Sequence, residues 1–343
     1  MIVRNETHIV AELLDSVVPY IDTWVIVDTG SDDGTQDLIR NYMSSRGIPG
    51  QLYERPWLNF GHNRTEALML AQGNADYIWV MDADDALIGE PDFTQLEGEI
   101  CWLRCIDTNA HLYWLPALFR DGASVEWVGV THECATWDDA YVTKRLEGDY
   151  HVADRHLSAR NAGGDKLTRD RDLLLAELER DPEDSRSIFY LAQTFYCMGD
   201  HVNARKWYSK RAEMGGFDEE VYFSLWRIAE SMSDLGAPWR DVEEAYLKAW
   251  EFRPTRAESL WAIARHYRTD RRFQLGYLFA KRAAEIPLSQ DALFVHADVY
   301  AWWAADEQAV CASWIGKQPE AFALWRRILA RTDLPDHDRQ RIA

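Results

Sequence analysis

The chain has 343 residues, 47% of them hydrophobic and 27% charged, which suits two domains of ordinary size. Its formal net charge is −20, and a field of that sign repels nucleic acid at long range. Non-specific DNA binding is therefore disfavoured, with the basic strip from Arg265 to Arg272 as a local exception.

From Met1 to Asp85 the chain alternates between strand and helix patterns. Met1 to Val3 is a short apolar run. Thr7 to Val18 has helical spacing, with Ile9, Val10, Leu13, Leu14 and Val17 on one face. Trp24 to Val27 reads as a strand, and Gly34 to Arg46 as a helix opened by Asp32, Asp33 and Gly34. Gln51 to Glu54 is the third strand and Phe60 to Gln72 the third helix. Tyr77 to Met81 is apolar and rich in β-branched and aromatic residues, as a buried strand should be. Such alternation predicts an α/β domain with a mainly parallel sheet and helices on both faces. Ligands of these sheets sit beyond the carboxyl ends of the strands. Three such ends are polar here: Arg4-Asn5-Glu6, Asp28 to Asp32, and Asp82-Ala83-Asp84.

The third is the most informative. A buried strand that runs into Asp82, Asp84 and Asp85 gathers carboxylates that repel one another and cost free energy to desolvate. A divalent cation, Mn²⁺ or Mg²⁺, carrying a phosphorylated ligand relieves both costs. No Gly-x-Gly-x-x-Gly follows the first strand and no Gly-x-x-x-x-Gly-Lys-Ser/Thr occurs, so neither a dinucleotide fold nor a P-loop is expected. A nucleotide diphosphate is the expected ligand. Asp84 is the first candidate metal ligand. Asp82 meets either the ribose or the metal, and Asp85 stands behind them.

Met1-Ile2-Val3-Arg4-Asn5-Glu6, Val25-Ile26-Val27-Asp28-Thr29-Gly30-Ser31-Asp32-Asp33-Gly34-Thr35 and Asp82-Ala83-Asp84 together resemble a family 2 glycosyltransferase of the GT-A fold. Trp57-Leu58-Asn59-Phe60-Gly61-His62-Asn63-Arg64 and Trp127-Val128-Gly129-Val130-Thr131-His132-Glu133 resemble a subgroup in which that domain is fused to tetratricopeptide-like helices. Chains of this kind usually carry several residues before the Met-Ile-Val, whereas here the sequence begins inside the first strand. The resemblance implies that the backbone near Val3, with Glu6 and Asp28, holds the uracil and ribose of a UDP-sugar. Arg64 is the expected fork donor to diphosphate or base. An inverting transfer also needs a general base at the acceptor hydroxyl. Glu133 is the leading candidate and Asp154 its rival, with His132 and Trp127 near the acceptor or behind the first contacts. GT-A enzymes often add a histidine to the metal site late in the domain. His151 and His156 are both candidates here, and the sequence does not choose between them.

From Lys166 onward the strand signals stop. Ala192, Ala229, Ala264 and Ala297 recur at intervals of roughly 35 positions in similar frames. Ala245 and Ala280 repeat a second register, with Pro254 and Pro287 ending helices. A period of about 34 residues is the tetratricopeptide pattern. The expected domains are 1–156, a GT-A transferase; 157–165, a linker with Asn161-Ala162-Gly163-Gly164 as its flexible core; and 166–343, a tetratricopeptide-like solenoid. The helical arm either binds acceptor or partner, buttresses the transferase, or makes a homodimer. There are 16 tryptophans, and most of those in the second half fall at repeat-core spacing, leaving Trp57, Trp102, Trp114 and Trp127 as better sugar contacts.

Cys101, Cys105, Cys134, Cys197 and Cys311 have no zinc-type spacing, and their odd number suits reduced thiols in a cytoplasm. No signal peptide is present, and no apolar run reaches the length of a membrane span, so no membrane anchor is expected. The reading is a metal-dependent, inverting hexosyltransferase that uses a UDP-sugar, with glucose the expected hexose. Its acceptor is a protein or peptide, a glycan precursor or, in a viral setting and host cytoplasm, a hydroxymethylated DNA base. The rivals are a repeat scaffold on a degenerate GT-A domain and a nucleotidyltransferase.

Overall fold

The computed structural model describes residues 1–108, 111–159 and 164–343. The chain divides into two compact units, Met1–Thr194 and Phe195–Ala343.

In the first unit, β1 (Ile2–Val3), β2 (Trp24–Asp28) and β3 (Gly50–Glu54) form a parallel sheet in that order. Val3 lies opposite Asp28, and Asp28 opposite Glu54. Helices α1 (Val10–Val17), α2 (Thr35–Arg46) and α3 (Phe60–Ala71) alternate with these strands. Val10, Leu13, Leu14 and Val17 bury one face of α1, the face its spacing forecasts. That helix begins at Val10 and not at Thr7, after a turn in which the Glu6 carbonyl accepts from both the Ile9 and Val10 amides. Val10, Leu14, Ile39 and Met43 close a core with Val3 and Ile26, and Ala83 packs into the same cluster. The Asp-x-Asp segment is thereby drawn to the first strand.

The apolar run before Asp82 enters a second sheet. It contains β4 (Tyr77–Trp79), β5 (Asp85–Gly89), β6 (Ile100–Asp107), β7 (His111–Arg120), β10 (Thr143–Arg145) and β11 (Tyr150–Asp154). The order runs β7-β6-β11-β5, with β4 on β7 and β10 on β6. The β7–β6, β4–β7 and β11–β5 pairs are antiparallel, whereas β11 and β10 run parallel to β6. The parallel arrangement therefore belongs to β1–β3, and the sheet behind the carboxylates is mixed. The link from β6 to β7 is too short for a crossover, so those strands must run antiparallel. β8 (Val125–Val128) and β9 (Cys134–Trp137) form a separate hairpin that lies on α3. Gly61 is needed there: a β-carbon at this position would stand 2.6 Å from the Trp127 carbonyl oxygen.

Two further helices follow, α4 (Lys166–Arg180) and α5 (Ser185–Cys197), and the boundary between the units falls inside α5. It lies downstream of the 157–165 segment read as a linker, because Arg186 and Tyr190 of α5 engage the loop at His132. Asn161, Ala162 and Gly163 of the expected flexible core lie outside the described residues.

The second unit is mostly helical. It runs through α6 (His201–Met214), α7 (Asp218–Asp234), α8 (Trp239–Phe252), α9 (Glu258–Thr269), α10 (Phe273–Ala284), α11 (Ala304–Trp314), α12 (Gln318–Leu329) and α13 (Asp336–Ile342). Ala229, Ala264 and Ala280 are fully buried, as close helix packing requires. Ala297 is only partly buried, since its frame is broken by a short strand, β12 (Val295–His296), and a π-helical turn at Val299–Trp303. Arg256 is wholly buried, paired with Glu258 and Asp291. Tyr300 donates to the same Glu258 at 2.9 Å, so the ion pair is satisfied within the core. Trp226 and Trp302 are buried as repeat spacing implies, but Trp314 is 69% exposed. Among the described residues no helix is long and apolar enough to cross a membrane, and all five cysteines are free thiols.

Candidate active site

Asp28 ends β2 with 1% of its surface exposed. Its Oδ1 accepts from the Gly30 and Ser31 amides, each at 2.9 Å, and from Gln36 Nε2 at 3.1 Å. Its Oδ2 is buried and has no partner among the described residues. A buried carboxylate oxygen left unmatched is costly, and it can still accept from a further donor. Next to it, Ser31 Oγ accepts from the Asn5 amide and Asn5 Oδ1 from the Asp32 amide, which ties the ends of β1 and β2 together. The Val3 carbonyl is occupied, accepting from Thr29 N and Oγ1 at 2.9 and 3.1 Å.

Glu6 is 6% exposed. Its amide donates to Thr35 Oγ1 at 2.9 Å, and its Oε2 accepts from the Ala159 amide at 3.2 Å. Burial pushes its carboxyl up to about 7, despite the Ala159 bond, with the Asp84 charge adding to the rise. One residue earlier, the Ser158 amide donates to Asp84 Oδ2 at 2.8 Å. The segment after β11 thus lies across both carboxylates with consecutive N–H groups. Arg155 supports this segment. Its guanidinium donates to the Asp84 carbonyl at 2.9 Å and pairs with Glu12.

The remaining carboxylates are crowded. Asp85 Oδ2 accepts from the Asp82 amide at 2.9 Å, and Asp85 lies in register with Asp154 on β11. Removal from water, then the charges of Asp82, Asp154 and Asp84, hold the Asp85 carboxyl well above its ordinary range. Among the described residues, no group of three or more His, Cys, Asp or Glu side chains is gathered closely enough to hold a metal ion. The oxygen donors of Asp82 and Asp84 suit a hard cation, but they need further oxygens, such as those of a diphosphate, to complete its shell.

Arg64 bridges two carboxylates distant in sequence. Its Nη2 donates to Asp82 Oδ1 and its Nε to Glu133 Oε1. The Arg64 and Glu133 side chains are 12% and 10% exposed, whereas Asp82 is half exposed. Burial opposes the charge on Arg64, yet the two carboxylates more than offset it and raise its pKa further. Glu133 follows a turn in which His132 holds φ +51° and Gly129 φ +118°. The His132 carbonyl accepts from Arg186 Nε and Nη2 at 2.9 and 2.8 Å, and its ring stacks on Tyr190 with centroids 4.2 Å apart.

The two late histidines are placed differently. His156 Nδ1 lies 2.9 Å from Asp154 Oδ1, and that bond raises its pKa. Asp154 also accepts from the Tyr113 hydroxyl at 2.9 Å. His151 lies opposite Ile88, three residues back along β11 and on the face opposite Asp154, and burial lowers its pKa. Trp127 packs edge-on against Phe119 and Trp114 is buried, while Trp57 remains 38% exposed.

Sequence reasoning missed Arg155, Arg186, Tyr190 and the Ser158 and Ala159 amides. In the sequence Tyr190 reads only as part of a repeat frame. Arg186 precedes it by one helical turn, and that i,i+4 spacing was the available signal. Charge is also unevenly shared. In residues 1–194 acidic side chains outnumber basic ones about two to one, whereas residues 195–343 are nearly balanced.

Residues 1–102 match the family model described as glycosyl transferase family 2. This bears out, for the first domain, the resemblance carried by its strand-end motifs. A TPR repeat-containing protein of Synechococcus elongatus is 25% identical over 248 residues, covering 66% of this chain and 58% of that protein. The chain thus spans less than two thirds of that relative's length. Two solved structures overlap about half of the chain. MamA covers 50% of this chain and 90% of its own, with 11% identity and a TM-score of 0.39. YrrB, described as a TPR protein with an unusual peptide-binding site, covers 52% and 82%, with 14% identity and a TM-score of 0.36.

Proposed function

We propose that this chain is an inverting glycosyltransferase that takes a hexose, glucose first among the candidates, from a UDP-sugar. The observation that carries the reading is the buried Oδ2 of Asp28 at the end of β2, without a partner among the described residues, in a domain whose residues 1–102 match glycosyl transferase family 2. Uracil N3–H is a donor of the kind this oxygen lacks. Glu6, protonated over part of the neutral range, then offers its carboxyl to a ribose or phosphate oxygen.

Asp84 and Asp82 would hold Mn²⁺ or Mg²⁺, and His156 is better placed than His151 to join them. A histidine braced by a carboxylate, as His156 is by Asp154, is the usual form of a metal-binding imidazole. The ion, when bound, neutralises charge on the leaving diphosphate. Glu133 takes the proton from the acceptor hydroxyl as that oxygen attacks the anomeric carbon and the nucleotide departs from the opposite face. Arg64 orients Glu133 and can turn from Asp82 toward the diphosphate. Asp154, committed to Tyr113 and His156, is the weaker base. The acceptor is a protein or peptide side chain, a glycan precursor or a modified DNA base. The concentration of negative charge in residues 1–194 favours the first two.

The test is nucleotide release from UDP-, GDP- and CMP-sugars with and without Mn²⁺, alongside calorimetric binding of each donor, for the wild type and Asp84→Ala. Metal-dependent UDP release that disappears in the variant supports the reading. Absence of both release and binding favours a repeat scaffold on a silent transferase domain, which the repeat-containing relative also fits.

A further inference from the structure

The base assigned above sits in a loop whose backbone is strained. His132 is a non-glycine residue in the left-handed region, a conformation that is costly and persists only where neighbours enforce it. The enforcing groups come from neither the parallel sheet nor the hairpin. Arg186, near the start of α5, directs Nε and Nη2 of one guanidinium at the His132 carbonyl, at 2.9 and 2.8 Å. A planar fork with both arms on one oxygen fixes the tilt of the 132–133 peptide, and charge-assisted bonds of this kind are the stronger ones. One helical turn later, Tyr190 lies flat against the His132 ring, with an interplanar angle of 3°. The Arg186 guanidinium also sits over the Tyr190 ring, 4.9 Å from its centroid. The backbone on one side of Glu133 is therefore clamped by α5, while its carboxylate is held on the other side by Arg64.

We propose that Arg186 and Tyr190 are positioning residues for Glu133: they hold the His132–Glu133 peptide in its left-handed turn, so that the carboxylate faces the acceptor hydroxyl. This rests on Glu133 being the base. It gives α5 a part in turnover, although that helix, like Glu133, lies outside the segment that matches the transferase family. Displacing a catalytic group by about 1 Å can cost on the order of 100-fold in rate.

The experiment follows UDP release from the UDP-sugar donor in Mn²⁺, with water as acceptor, on the full chain. The variants are Glu133→Gln, Arg186→Ala, Arg186→Lys, Tyr190→Ala and Tyr190→Phe, each with a donor Kd and a melting curve. Expected are abolished release in Glu133→Gln and a kcat lowered about 10- to 100-fold in Arg186→Ala and Tyr190→Ala. Donor KM and Kd should stay within about twofold of wild type, since the nucleotide residues are untouched. Arg186→Lys should recover part of the loss and Tyr190→Phe most of it. If Arg186→Ala does not fold, the Tyr190→Ala and Tyr190→Phe pair decides. Wild-type kcat in Arg186→Ala and Tyr190→Ala beside an inactive Glu133→Gln overturns the inference and leaves the base in place. Losses of kcat that travel with equal losses of donor affinity and a lowered melting temperature also overturn it. Undiminished release by Glu133→Gln, or no release by the wild type from any donor, overturns the base assignment and the inference together.

Discussion

Replacing Arg64 by methionine removes the cation that touches both Asp82 and Glu133 while keeping most of the aliphatic volume. The two carboxylates lose unequally. Asp82 is half exposed, so its pair is screened by water and is worth at most about 1 kcal/mol. Glu133 is 10% exposed, and stripping a buried charge of its partner typically costs about 3–5 kcal/mol. The sum expected for Arg64→Met is therefore about 3–5 kcal/mol, nearly all of it from Glu133. Adding Glu133→Leu to Arg64→Met should restore at least about 1 kcal/mol, a coupling well above the usual scatter for independent sites. The assay is differential scanning calorimetry of the full chain, following the transition that shifts with the mutation, because two compact units need not melt together. A deficit under about 1 kcal/mol with no coupling would refute the reasoning. It would mean that Glu133 is not held against Arg64 in solution.

Glu6 makes a separate prediction. Its folded pKa of about 7 lies above the ordinary 4.5, so the folded state binds the extra proton between those values. Stability should fall as pH rises from about 4.5 to 7 and then level off, by about 3 kcal/mol in total, and Glu6→Gln should flatten that slope in urea titrations. Asp28→Asn should keep the fold, because its oxygen can still accept from Gly30 and Ser31, yet calorimetry should show donor binding reduced at least about tenfold. Unchanged donor affinity would remove Asp28 from the nucleotide site. Gly61→Ala should cost about 1–3 kcal/mol in the same melts, since its β-carbon would press on the Trp127 carbonyl; a neutral result would mean that α3 and β8 are not in close contact.

Several features were legible because they are local. The acidic ends of β2 and of the Tyr77 run stand out because carboxylates gathered at the end of an apolar strand repel one another and are costly to desolvate. The helical array showed itself in the spacing of Ala192, Ala229 and Ala264, because close packing needs a small residue once per helix pair. The α1 stripe from Val10 to Val17 followed from the helical period. Each of these is a pattern that one stretch of chain must carry wherever it packs.

The site itself was decided elsewhere. Arg64 meets Glu133 across 69 residues and Arg186 meets His132 across 54, and no local rule selects those partners. The amides of Ser158 and Ala159 reach Asp84 and Glu6 as backbone donors, which every non-proline residue possesses and no side-chain pattern announces. That His151 and Asp154 fall on opposite faces of β11, and that His156 lies beside Asp154, likewise depends on strand register and not on any local pattern. The sequence by itself determined the inventory of charges and the class of fold, because both depend on composition and period. Only the tertiary structure determined which charges meet, because that depends on how strands distant in sequence are brought into register.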